Sequence, residues 1–163
     1  MGLDMYMVKR RKNDEFRDEN LEDVAYWRKA NQIHKWFVDN VQDGVDDCDY
    51  YEVSKDKIEE LLKICRVVKE NSELVDGKIN NGYSLEKNDK GEYVKKYFIE
   101  DGKIIKDTTI AEKLLPCTSG FFFGSEDYDG WYYRQIEDTI KQLETILKET
   151  NFDEELIEYN SSW

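Results

Sequence analysis

At 163 residues the chain is long enough to form one domain (1–163) with a sizeable buried core. Its formal charge is −13, from 24 Lys and Arg against 37 Asp and Glu, and such a field opposes direct nucleic-acid binding, which depends on neutralising phosphates. No apolar run approaches the roughly 18 residues of a membrane span, and Met1-Gly-Leu-Asp-Met-Tyr6 fits neither a signal peptide nor a myristoylation site, so a soluble cytoplasmic protein with no membrane partner is expected.

In chain order, Leu3, Met5 and Met7 alternate with Asp4, Tyr6 and Val8 as a short strand would. Residues 11–20 are charged and read as a loop. Residues 21–42 read as a helix, because Val24, Trp27, Ala30, Ile33 or His34, Phe37 and Val41 recur at helical spacing, with Gly44 at its end. Asp43 to Glu52 is an acidic turn. Ser54 is placed to cap a second helix that presents Ile58, Leu61, Leu62, Cys65 and Val68 on one face and runs to about Asn71.

Residues 76–107 are lysine-rich and polar, with turn signals at 88–91 and at Asp101-Gly102. They read as a β-meander excursion. A short helical turn at 110–115 stops at Pro116. Residues 130–149 read as a third long helix with Tyr132, Ile136, Thr139, Leu143 and Leu147 in register, and the tail 156–163 as a final strand. The fold class expected is α+β: three main helices on a small antiparallel sheet that uses the N- and C-terminal strands.

Two segments hold more polar-plus-aromatic chemistry than a core needs. In the first, Trp27, Arg28, Asn31, His34 and Lys35 offer a ring, cations, an amide and an imidazole at helical spacing. In the second, Ser119-Gly-Phe-Phe-Phe-Gly-Ser125, Ser119 and Ser125 offer hydroxyls and Phe122 a ring, with Tyr128 and Trp131 close behind. These ten residues are the candidate ligand site, placed between the first helix and the 119–125 loop. The competing reading makes His34 and most of the rings core residues and 119–125 a buried strand with glycine-permitted bends.

Other chemistry is weaker. Asp46, Asp47, Asp49 and Glu52 miss EF-hand spacing and read as a solvated turn. Cys48, Cys65 and Cys117 form no CxxC pair, which argues for reduced thiols rather than a zinc site. No P-loop, GxGxxG or GxSxG motif is present. No metal, cofactor or catalytic residue is expected.

Met1-Gly-Leu-Asp-Met-Tyr6, Tyr26-Trp-Arg-Lys-Ala-Asn31 with Ile33-His-Lys-Trp-Phe37, Gly44-Val-Asp-Asp-Cys48, Tyr50-Tyr-Glu-Val-Ser54, Leu114-Leu-Pro116, Ser119 to Ser125, Tyr128, Trp131-Tyr132 and Ser161-Ser-Trp163 together carry a likeness. On them the chain resembles a family of small phage and prophage proteins of unassigned function, over most of its length outside roughly 72–110. The resemblance implies a counter-defence role in the cytoplasm of a bacterial host. Two partners suit the residues: a nucleotide-derived signal held without catalysis, or a basic host defence protein met by an acidic, nucleic-acid-mimicking inhibitor. A hydrolase of nucleotide signals is the third reading, and a homo-oligomer is compatible with all three.

Overall fold

The computed structural model describes residues 2–14 and 20–163. The N-terminal alternation forms β1 (Asp4–Arg11), which buries Met5 and Met7 on one face. β2 (Glu22–Arg28) pairs with it antiparallel, with Met5 opposite Trp27 and Met7 opposite Ala25. Residues 22–28 are therefore a strand, where the helical stripe had suggested the start of a long helix. Their Val, Tyr and Trp content suits a pleated surface as well as a helix face, and Ala25 and Trp27 are buried two apart, the strand period. The chain reverses at Lys29, which adopts φ 56°.

Only then does the first helix begin, as α1 (Asn31–Asn40), and Gly44, at φ 79°, closes its end by donating to the Val38 carbonyl at 2.8 Å. After β3 (Tyr51–Glu52), Ser54 Oγ accepts from Lys57 N at 3.3 Å and caps α2 (Lys55–Glu70), whose buried residues are Ile58, Leu61, Leu62, Cys65 and Val68.

β4 (Leu74–Lys87) and β5 (Tyr93–Ile105) form one long antiparallel hairpin. The Asn88 side chain holds its turn by accepting from Lys90 N and Glu92 N, both at 2.9 Å. Asp101-Gly102 is not a turn. Gly102 lies opposite Gly77 inside the ladder, and a Cβ on either would come within 2.7 Å of Ile79 or Ile104. The glycines mark the place where those side chains cross the bare backbone, so the excursion is a two-stranded ribbon.

α3 (Thr109–Leu114) ends before Pro116. α4 (Gly130–Glu149) starts at Asp129, whose carboxylate accepts from Trp131 N at 2.9 Å and Tyr132 N at 3.0 Å. β6 (Glu155–Ser162) returns to pair with β1 along its whole length. The main sheet has the order β2-β1-β6-β3, with the terminal strands at its centre. The fold is thus α+β. α1 and α4 meet the sheet through Phe37, stacked on Tyr159 at 3.9 Å between ring centres, and through Thr139, which accepts from Trp27 Nε1 at 2.8 Å. No helix among the described residues is long and apolar enough to cross a membrane.

Candidate functional site

The expected cleft between the first helix and the 119–125 loop is closed. Asn31, at the first turn of α1 and 1% exposed, donates through Nδ2 to the Ser125 carbonyl at 2.9 Å and the Phe123 carbonyl at 3.2 Å. Its Oδ1 accepts from Thr118 N at 3.0 Å. One amide therefore sutures both ends of the loop to the helix. Phe123 is folded inward beneath it, and a Cβ on Gly120 would lie 2.4 Å from the Phe123 ring.

His34 is also consumed inside the protein. Nδ1 lies 2.8 Å from the Tyr159 hydroxyl, Nε2 lies 3.0 Å from Asp46 Oδ2, and the ring meets Phe123 edge-on at 5.2 Å. Burial, reinforced by the Asp46 charge, holds the Tyr159 phenol well above its ordinary pKa. A carboxylate only accepts, so the contact with Asp46 calls for the imidazole proton on Nε2. Asp46 Oδ1 in turn accepts from Trp163 Nε1 at 3.0 Å. The acidic turn is thus not simply solvated, because Asp46 ties it to α1 and to the last residue. Only the tertiary fold could show this, since Asp46 is one of several equivalent acids in sequence.

The remaining predicted residues divide. Trp27 is core. Arg28 lies on the outward sheet face, 3.9 Å from Asp4. Lys35 pairs with Asp39 at 2.6 Å. Tyr128 packs on Tyr132 and its hydroxyl accepts from Cys117 N at 3.1 Å. Ser119 is exposed, apart from the others.

Phe122, Ser125 and Trp131 do converge. They line a groove of about 850 Å³ between the 122–129 segment and the ribbon. The ribbon supplies Tyr83, Tyr97, Lys95, Asn80 and Asn81, and the β2–α1 reversal supplies Lys29. Four exposed rings and two ammonium groups therefore face one space, with Lys95 Nζ 4.4 Å from the centre of the Tyr83 ring. Phe122 is held at φ 61° beside Gly124 at φ 97°. A phenylalanine in the left-handed region carries strain of about 1–2 kcal/mol, and here that conformation puts its ring on the surface.

Three acids also line the groove. Asp129 is engaged by the α4 cap, and Asp127 accepts from the Ser125 hydroxyl at 3.0 Å, leaving Glu126 as the carboxylate most open to a ligand. Sequence reasoning passed over the ribbon half of the site because it read that stretch as polar. The available signal was aromatic: Tyr83, Tyr93, Tyr97 and Phe98 sit in a segment with no visible core partner. No family model, curated protein or solved structure matches this chain.

Proposed function

We propose that the protein is a non-catalytic binding protein that holds a planar, nucleotide-derived small molecule in the groove between the ribbon and the 122–129 segment. In the phage setting implied by the sequence resemblance, it would act as a sponge for a nucleotide signal. The observation that carries this reading is the convergence of Tyr83, Tyr97, Phe122 and Trp131 with Lys29 and Lys95 in a chain of net charge −13. Flat rings stack on any base, each worth about 1–3 kcal/mol, and the two lysines make a local exception to the repulsive field. With Glu126 in the same groove, the charge balance favours a ligand with one or two phosphate charges over a triphosphate.

The rival, an acidic surface that docks on a basic defence protein, rests on the net −8 of residues 126–163. Much of that charge is internally matched: Glu137 meets Lys69, Glu144 meets Arg66, Glu155 meets Lys9 and Glu158 meets Arg10. The groove reading is therefore the better supported of the two.

Titration calorimetry with nucleosides, nucleoside monophosphates and cyclic dinucleotides tests it. Binding of one class, weakened roughly tenfold or more by Trp131→Ala or Tyr97→Ala and untouched by Arg28→Ala, is the expected result. Absence of binding across the panel, or binding indifferent to both aromatic changes, would overturn the proposal.

A further inference from the structure

The ribbon has an edge that nothing among the described residues covers. Near its turn, Asn88 N donates to the Glu92 carbonyl, and near its base Lys106 N donates to the Glu73 carbonyl, so the even-numbered residues of β5 turn their backbone groups toward β4. The odd-numbered residues turn theirs outward. At the base this outward side is used, because Ile105 N donates to the Tyr128 carbonyl and Ile104 bridges Asp129. Between Lys95 and Asp101 no further strand pairs with it. The same stretch carries Tyr97, Phe98 and Ile99, each more than half exposed. A long, apolar, unpaired edge invites another strand, and an isolated two-stranded ribbon is marginal in water.

The residues along this edge specify a partner. In order they are Lys95-Lys96-Tyr97-Phe98-Ile99-Glu100-Asp101: two bases, three large apolar residues and two acids. Such a string is complementary to its own reverse. We propose that two copies of this chain pair antiparallel along their β5 edges, with Phe98 on the twofold axis. Lys96 then faces Glu100 of the second copy, Lys95 faces Asp101, and Tyr97 faces Ile99. No like charges oppose one another over this stretch.

The backbone agrees with this register. Pairing residue n with 196 − n matches odd with odd, the residues whose N–H and C=O point outward, and leaves Phe98 at a non-hydrogen-bonded position. About eight new backbone hydrogen bonds form, giving a four-stranded sheet β4-β5-β5-β4 and an isologous, closed interface. Charge permits it too. Residues 74–105 hold six lysines and six acids, so the chain's −13 lies entirely outside the ribbon, and the antiparallel register sets the two acidic bodies at opposite ends of the joined ribbons. The pairing uses the backbone edge of the ribbon and the groove one of its faces; Lys95 and Tyr97 belong to both, whereas Phe98 and Glu100 belong to the pairing alone.

Sedimentation of the full chain over a concentration series reads the association directly. The expected species has twice the 19.5 kDa chain mass. Glu100→Lys, which sets lysine against Lys96 twice, raises the dimer dissociation constant about tenfold, and Lys96→Glu added to it restores the original value. Phe98→Cys, in a Cys48→Ser, Cys117→Ser background, cross-links two chains under mild oxidation, while Lys95→Cys alone does not. A chain that stays monomeric at all concentrations overturns the proposal. So does a dimer that ignores Glu100→Lys and forms no cross-link through position 98.

Discussion

The α1 seam and the ribbon groove are both built from rings, amides and carboxylates, yet they spend them differently. In the seam, Asn31 satisfies three backbone groups and His34 satisfies Tyr159 and Asp46, so polar side chains become internal fasteners. In the groove, Tyr83, Tyr97 and Trp131 keep about half of their surface in water. Residue type alone does not make a binding site. What decides is whether the fold has already supplied each polar group and ring with a partner, since a satisfied buried group has nothing left to offer a ligand.

Substitution should separate the two regions sharply. The largest effect is expected from His34→Ala, which strands a buried phenol, removes a partner of Asp46 and opens a void beside Phe123. A stability loss of about 4 kcal/mol in urea unfolding is expected, and a loss below about 1 kcal/mol would mean that the His34 contacts do not fasten the core. Asn31→Ala should follow at about 3 kcal/mol, with faster amide exchange confined to residues 118–125. Uniform exchange across the protein would show that the suture is not local.

The third effect depends on pH. Burial raises Cys65, Tyr132 and Tyr159 above their ordinary values and pushes the half-buried Cys117 up to about 12. In the unfolded chain thiols ionise near about 8.5 and phenols near about 10. Above those values the unfolded state has lost protons that the folded state keeps, so stability is whole below about pH 8.5 and falls as pH rises. Each well-buried group adds a slope of up to about 1.4 kcal/mol per pH unit, and the more solvent-screened Cys117 adds less. Tyr132→Phe should flatten the decline seen by thermal unfolding between pH 9 and 11. An unchanged slope would remove that phenol from the account. The smallest stability effect belongs to Trp131→Ala, expected within about 0.5 kcal/mol of the parent. A larger loss would make Trp131 part of the core and erase the contrast between the two regions.

Much of the fold was legible because local chemistry fixed it. Ser54 and the five-residue stripe behind it determine α2, the stripe through Tyr132, Ile136, Thr139 and Leu143 determines α4, and the alternation of Leu3, Met5 and Met7 determines β1. The start of α1 was not legible, because Val24, Trp27 and Ala30 satisfy a helical spacing while Ala25 and Trp27 satisfy a strand's, and pairing with β1 settles the tie. Gly102 carried the same ambiguity, since a glycine marks a turn or a close crossing alike until Gly77 is found opposite it.

By itself, then, the sequence determined the α+β class, the terminal strands and the identity of the two aromatic-polar segments, because caps, periodicity and composition act over a few residues. It also named Phe122, Ser125 and Trp131 as residues of interest. Only the tertiary structure decided that Asn31 and His34 face inward, that Asp46 rather than Asp47 or Asp49 meets the imidazole, and that the ribbon supplies the groove's other wall. Those outcomes depend on contacts between residues far apart in the chain, such as His34 with Tyr159 and Asp46 with Trp163, and no local preference encodes which distant group arrives to saturate a polar side chain.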